Sequence, residues 1–319
     1  MSFSIIATGS ALPKKVVTND DLAQFLDTSD EWIVTRTGIK TRHVATDETT
    51  SSLAVEAAKN ALDMAHLSPS DLDLIICTTV THDYITPSLA CVVQGELGAD
   101  CPALDINAAC SGFLYALDVA DGYFARGRVE KVLVVSSELL TRITDWRDRA
   151  TAVLFGDGAG AVVLGRGSAL RSIKIGAKGN PDPLYSPNVG GISPWRADKT
   201  EPECFLHMNG QEVFKFAVST VSADLIDVAQ EAGIDVSSLD HAVLHQANLR
   251  ILDAAARKCG LAPDKMEVII DETGNMSSAC IPIALDRLNR SGRLHSGEWV
   301  ALAGFGGGYT SGAACFKWG

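Results

Sequence analysis

The sequence predicts a layered α/β fold built from two duplicated halves, each a mixed sheet covered by helices. Two observations carry this reading: motifs that recur at a nearly constant interval, and apolar strand segments that alternate with amphipathic helices. Gly9 of Ile6-Ala7-Thr8-Gly9 has a counterpart in Gly176 of Ile173-Lys174-Ile175-Gly176, 167 positions on. Ser70-Asp71-Leu72-Asp73 and Ser237-Ser238-Leu239-Asp240 stand at the same interval. Ala116-Leu117-Asp118 and Ala284-Leu285-Asp286 stand at 168, as do Glu130 and Glu298, each just ahead of an apolar run. Phe155-Gly156-Asp157-Gly158 and Phe305-Gly306-Gly307-Gly308 are only 150 apart, which an extra loop near residues 141–152 explains. A repeat close to half of the 319 residues points to a doubled unit. The halves are taken as 1–167 and 168–319, with the seam at Gly165-Arg166-Gly167-Ser168.

The elements follow in order. Leu53, Val55, Ala58, Ala61 and Leu62 recur at helical spacing ahead of the apolar strand Leu74-Ile75-Ile76-Cys77. A strand at 103–106, a helix at 114–124, a strand at 132–135 and a glycine-rich hairpin into a last strand complete the first half. The second half repeats the series. Val218, Val221, Leu225 and Val228 mark a helix before the strand Ala242-Val243-Leu244, a buried helix follows Asn275, and a hairpin through Phe305-Gly306-Gly307-Gly308 closes it. Strands apolar on both faces belong between layers of helices. Residues 179–199 carry several Pro and Gly and read as a surface excursion.

Composition narrows the function. A net charge of −12 disfavours nucleic acid, whose backbone needs clustered Lys and Arg. No apolar run approaches the ~18 residues of a membrane span. Met1-Ser2-Phe3-Ser4-Ile5-Ile6 lacks the basic start of a signal peptide, so a cytoplasmic location is expected. Eight cysteines show neither C-x-x-C nor zinc-ligand spacing, so neither a metal site nor a disulfide framework is expected. Cys77, Cys91, Cys101, Cys204, Cys259, Cys280 and Cys315 read as small buried hydrophobes.

Cys110 reads differently. It lies in Asn107-Ala108-Ala109-Cys110-Ser111-Gly112-Phe113, between a strand and a helix, where small neighbours leave room for a substrate. Ligands of such sheets collect at the carboxyl ends of strands. A helix start favours thiolate over thiol, so Cys110 is expected to be an activated nucleophile. His245 follows the strand Ala242-Val243-Leu244 at another carboxyl end. Asn275 lies in Asp271-Glu272-Thr273-Gly274-Asn275. Taken singly, a hydrogen-bonded core histidine and a turn asparagine would suffice. The duplication changes this: matching Asp105 to Asp271 puts Cys110 and Asn275 at near-equivalent positions, which pseudo-twofold packing would bring together with His245. A thiol, an imidazole and a carboxamide in one cavity suit acyl transfer through a thioester.

Several stretches together resemble β-ketoacyl-acyl carrier protein synthase III over essentially the whole chain. They are Thr28-Ser29-Asp30-Glu31-Trp32-Ile33-Val34-Thr35-Arg36-Thr37-Gly38-Ile39, Ala108-Ala109-Cys110-Ser111-Gly112-Phe113, Phe155-Gly156-Asp157-Gly158, His245-Gln246-Ala247-Asn248-Leu249-Arg250, Gly274-Asn275 and Phe305-Gly306-Gly307-Gly308. The resemblance implies the thiolase fold and a decarboxylating condensation of an acyl-CoA with malonyl-acyl carrier protein that starts fatty acid synthesis. It implies Cys110 as acyl carrier, His245 and Asn275 as donors to the enolate, and the N–H groups of Cys110 and Gly307 as oxyanion hole. It implies Trp32 and Arg149 around the CoA adenine, Arg36 at the CoA phosphates, and no metal or redox cofactor. Gln246, Ala247, Asn248, Leu249 and Arg250 match the family's carrier-contact motif. Arg250, Arg257 and Lys258 form a local cationic strip on one helix, suited to an acidic carrier. The resemblance also implies a homodimer. In Thr81-His82-Asp83-Tyr84-Ile85-Thr86-Pro87-Ser88, Thr86 stands where short-chain members carry Phe, so a longer or branched primer is expected.

Other readings are a related Cys-His-Asn condensing enzyme of secondary metabolism, or a non-catalytic acyl-binding scaffold. Use of a carrier rather than free CoA extenders discriminates the first, and acyl transfer to Cys110 the second. A thiolase proper would use a second catalytic cysteine near the C-terminus, but Cys315 lies in an apolar strand.

Overall fold

The computed structural model describes residues 2–187 and 204–319. The part of the expected surface excursion at 188–199 lies outside the described residues. Two five-stranded sheets organise the chain. The first comprises β1 (Ser2–Ala11), β2 (Leu74–Thr78), β3 (Ala103–Ile106), β4 (Lys131–Leu139) and β5 (Asp157–Gly167). The second comprises β6 (Leu170–Asn180), β7 (His241–Leu244), β8 (Met266–Glu267), β9 (Trp299–Gly306) and β10 (Gly308–Lys317). The strand orders are β1-β5-β4-β2-β3 and β6-β10-β9-β7-β8. Adding five to each strand of the first gives the second, and the parallel and antiparallel pairings correspond throughout.

The repeat reaches individual hydrogen bonds. Asp73 Oδ2 accepts from the Lys131 N–H at 2.9 Å, where β4 begins. Asp240 Oδ2 accepts from the Trp299 N–H at 2.8 Å, where β9 begins. The two motifs therefore recur because each supplies a carboxylate that ties the start of a sheet's central strand.

Five helices complete the layers: α1 (Thr50–Ala65), α2 (Gly112–Ala125), α3 (Gly210–Glu231), α4 (Leu249–Cys259) and α5 (Cys280–Arg290). Alternate residues of each strand face opposite sides. Ile76, Val132 and Val134 of the first sheet and Val243, Val300 and Leu302 of the second enclose α2 and α5. Ile75, Leu133 and Val135 pack outward on α1. Ala242, Leu244 and Ala301 pack outward on α3. The layers thus run α1, sheet, α2 with α5, sheet, α3, with α4 laid on α3. This two-sided burial explains the near-continuous apolar strands, and each buried Leu or Ile contributes about 1.5–3 kcal/mol.

The expected extra loop separates β4 from β5 and holds a short helix, Arg149–Ala152, whereas β9 passes to β10 through Gly307. All eight cysteines are free. Cys77, Cys280 and Cys315 are buried, but Cys91 is exposed. It rides on the outer face of the helix Leu89–Leu97, which buries Leu89, Ala90 and Val93 instead. Among the described residues no helix is long and apolar enough to cross a membrane.

Candidate active site

The central helices α2 and α5 each begin from a tight 3₁₀ turn, Ala109–Ser111 and Ser277–Ala279. Each turn opens on a non-glycine residue with left-handed backbone, Ala109 at φ 48° and Ser277 at φ 49°. Each is steadied by an asparagine two residues before that residue. Asn107 Oδ1 accepts from the Ala109 N–H at 3.2 Å, and Asn275 Oδ1 accepts from the Ser277 N–H at 2.9 Å. This corrects the register expected from Asp105 and Asp271. The equivalent of Asn275 is Asn107, and the equivalent of Cys110 is Ser278. The two turns pack against each other, so the asparagine of one half and the cysteine of the other meet at one cavity.

That cavity, of about 1020 Å³, is lined by Cys110, His245, Asn275, Ser277 and Gly307 together with apolar side chains that include Val80, Leu140 and Phe305. The carboxyl ends of β7 and β9 deliver His245 and Gly307. The His245 N–H donates to the Ala303 carbonyl at 2.9 Å, which continues the pairing of β7 with β9. Its ring stands edge-on to Phe305, with centroids 5.3 Å apart. Gly306 lets the Cys110 backbone approach the strand: a Cβ there would lie 2.6 Å from the Cys110 nitrogen.

Electrostatics in the cavity are set by burial. His245 is buried and its Nδ1 has no partner among the described residues, which leaves Nε2 as the nitrogen able to meet a ligand. Burial lowers its pKa to about 3, so the imidazole is neutral. Because Asn275 Oδ1 is taken by the Ser277 N–H, its Nδ2 is the group free to donate. Cys110 is half-buried where it meets the cavity; desolvation pushes its thiol up to about 12, with a hydrogen bond from Ser277 opposing the rise and the nearby Glu138 charge adding to it. The expectation of a standing thiolate is therefore corrected. Desolvation outweighs the helix start, and Cys110 rests as a thiol.

The remaining candidates fall into two groups outside the cavity floor. Trp32 is half-buried on the helix Asp30–Thr37, with the Arg36 guanidinium 4.4 Å and the Arg149 guanidinium 4.7 Å from its ring. The Arg149 guanidinium also donates to the Asp27 carbonyl at 2.7 Å. Asn248 lines the cavity and donates to the Arg36 carbonyl at 3.1 Å, which joins this cluster to the cavity mouth. Arg250, Arg257 and Lys258 are exposed on α4, opposite its buried Ile251, Leu252, Ala255 and Ala256. Ala247 and Leu249 are half-buried.

Two expected residues lie elsewhere. Gln246 has no exposed surface, so its place among the carrier contacts is corrected. Its Nε2 donates to the Leu244 and Glu267 carbonyls at 2.7 and 3.2 Å, and its Oε1 accepts from the Ile269 and Ile270 N–H groups at 3.0 and 3.2 Å. It is an internal brace between the His245 loop and the segment before Asn275. Thr86 is exposed and does not line the cavity of this chain; its neighbour Ile85 does. Sequence reasoning passed over Ser277, Ser278 and Glu138. A lone acid in the apolar run from Val132 to Leu139 was the available signal for Glu138.

Residues 104–179 match the model of 3-oxoacyl-[acyl-carrier-protein] synthase III, and residues 229–318 match the model of its C-terminal part. A β-ketoacyl-[acyl-carrier-protein] synthase III of Clostridium acetobutylicum is 43% identical over 99% of both chains. The crystal structure of 3-oxoacyl-[acyl-carrier-protein] synthase III from Aquifex aeolicus superposes with a TM-score of 0.93 at 42% identity, covering 99% of this chain and 100% of that one. A priming β-ketosynthase from a polyketide biosynthetic pathway also reaches 0.93, at 34% identity over 99% of this chain and 96% of that one.

Proposed function

The chain belongs to the 3-oxoacyl-[acyl-carrier-protein] synthase III family, the acyltransferases that condense an acyl-CoA primer with malonyl-acyl carrier protein to initiate fatty acid synthesis, and we propose that Cys110, His245 and Asn275 carry that reaction here. The observation that supports this most is the convergence of all three on one cavity from two equivalent turns and a strand end. In the first half-reaction the Cys110 sulfur attacks the thioester carbonyl of acyl-CoA. The N–H groups of Cys110 and Gly307 stabilise the developing oxyanion. The thiol proton ends on the departing CoA sulfur, so no standing thiolate is required.

In the second half-reaction the malonyl thioester loses CO₂, and the electrons of the broken C–C bond move onto the thioester oxygen. Neutral His245, through Nε2–H, and Asn275, through Nδ2–H, stabilise that enolate. The enolate carbon attacks the acyl-Cys110 carbonyl, and the released thiolate takes up one proton to restore Cys110. Neither step requires a metal or redox group.

Trp32, Arg36 and Arg149 are assigned to CoA. With Arg149 only 4.7 Å from the Trp32 ring, an adenine enters between them only if the guanidinium swings away. Arg250, Arg257 and Lys258 are assigned to the carrier, with Ala247, Asn248 and Leu249 at the mouth. We also assign the chain to a cytoplasmic homodimer of two-fold duplicated subunits, 1–167 and 168–319. Its free cysteines suit a reducing compartment. Among the described residues the edge strand β3 pairs with β2 alone, and it is half-exposed along its length, which suits contact with a second copy.

Intact-mass spectrometry after mixing with acyl-CoA tests the assignment. Cys110→Ala should lose the acyl adduct, while His245→Ala and Asn275→Ala should keep it and lose decarboxylation of malonyl-carrier protein. Undiminished decarboxylation in both variants would mean that their roles are wrongly assigned. The same assay across primers tests the primer range, because clear preference for acetyl-CoA over longer acyl-CoA would refute the longer or branched primer expected from the sequence. The likeness to a polyketide priming synthase keeps a second reading, priming in secondary metabolism; condensation with a free CoA extender in place of malonyl-carrier protein would favour it.

A further inference from the structure

A buried carboxyl that neither half-reaction uses lies beside the cavity. Glu138, near the end of β4, has no exposed surface. Among the described residues the groups that bond it are all neutral, and the Ser277 hydroxyl, which also faces Cys110, lowers its pKa as well. Its Oε2 accepts from the Val80 N–H at 2.9 Å and from the Thr81 and Thr79 hydroxyls at 3.2 and 3.3 Å. Its Oε1 accepts from the Ser278 hydroxyl at 2.7 Å. Burial raises its pKa while these bonds oppose the rise. A carboxyl buried without a cation is costly, and an apolar side chain of similar size would avoid that cost. Stability alone therefore does not account for it.

What the carboxyl joins is informative. Val80 and Thr81 line the cavity wall. Ser278 belongs to the turn that begins two residues after Asn275 and also accepts from the Thr78 hydroxyl at 3.1 Å. One side chain of the first half thus spans from the wall to the asparagine turn of the second. The nucleophile turn has a different anchor. Thr310 of β10 donates to the Ala108 carbonyl at 3.0 Å, with the Ser111 hydroxyl 3.2 Å away. In the duplicated register that aligns Lys131 with Trp299, Glu138 corresponds to Gly306. The space under the nucleophile is thus left open by a glycine, and the space under the asparagine turn is filled by an acid.

We propose that Glu138 is a positioning residue for the decarboxylation half-reaction, its carboxyl locking the asparagine turn to the 79–81 wall so that the Asn275 amide stays aimed at the substrate. This rests on the role assigned to Asn275 above. Misplacement of a catalytic group by about 1 Å costs up to about a hundredfold, so small movements of this turn are enough to matter.

The test separates the half-reactions. Acyl loading is followed by intact mass, and decarboxylation by CO₂ release from malonyl-carrier protein. Glu138→Leu should lower the kcat of decarboxylation about tenfold or more while loading does not fall, because the substitution also removes a charge that holds the Cys110 thiol up. Glu138→Gln, which keeps the shape and can still bond Val80 and Ser278, should restore most of the loss. Ser278→Ala, which removes the turn's own hydroxyl, should act in the same direction and decides the matter if Glu138→Leu does not fold. Equal losses in both half-reactions together with a lower Tm, or undiminished decarboxylation in Glu138→Leu and Ser278→Ala, would overturn the proposal. Asn275→Ala serves as the control. If it decarboxylates normally, the underlying reading fails and the proposal with it; if it is impaired while the Glu138 and Ser278 variants are not, the proposal fails alone.

Discussion

Cys110, half-buried, and His245, buried, show opposite consequences of desolvation. Desolvation penalises the charged form, so the thiol is held protonated and the imidazole neutral. For Cys110 the prediction concerns reactivity. With its thiol pushed up to about 12, alkylation by iodoacetamide in the absence of substrate should climb about tenfold per pH unit across the neutral and mildly alkaline range. Intact-mass rates that level off near neutrality would instead reveal a stabilised thiolate. For His245 the prediction concerns pH dependence. Its pKa falls from 6.5 to about 3 on folding, so between those values the unfolded chain binds more protons than the folded one. His245 therefore draws stability away as pH falls from 6.5 towards 3, and contributes no pH dependence above that window. Decarboxylation should show no acid limb near 6.5 from this group, and an acid limb there that vanishes in His245→Gln would contradict the neutral-imidazole assignment.

The turns ahead of α2 and α5 are set by local sequence, but their meeting is not. Asn107 and Asn275 are both legible as turn residues, and the left-handed Ala109 and Ser277 carry strain that the packed halves hold in place. The misassigned equivalence of Cys110 with Asn275 arose from matching two aspartates across a region where the halves differ by a few residues. Hydrogen bonding, rather than residue identity, fixed the correct register. Gln246 illustrates the same limit. A polar residue in a motif beside an exposed helix looks like a contact, and only the four backbone groups around it reveal a brace. Gly306 yields the test at this level. Gly306→Ala drives a methyl against the Cys110 nitrogen at 2.6 Å, so the nucleophile turn must shift. The expected outcome is a loss of about 1–3 kcal/mol in chemical denaturation together with slowed acyl loading. Normal loading would mean that the turn yields freely.

Charge acts over the whole molecule. Against a net charge of −12, the exposed Arg250, Arg257 and Lys258 on α4 form a local positive face next to the cavity mouth. Reversing Arg250 and Lys258 to Glu should raise KM for malonyl-carrier protein about tenfold or more, with kcat and acyl-CoA loading little changed and the difference shrinking in high salt. A salt-independent effect, or an equal effect on loading, would point to damage at the cavity instead. The primary structure alone determined the doubled α/β architecture, because repeated spacing and two-sided apolar strands are written along the chain. It also singled out the cysteine, histidine and asparagine, because their motifs are local. Tertiary structure decided what those groups are chemically: which register the halves share, that the thiol stays protonated, that Gln246 is a strut, and that an acid lies under the asparagine turn. Desolvation and hydrogen bonding depend on which distant segments close around a group, and sequence spacing does not encode that enclosure.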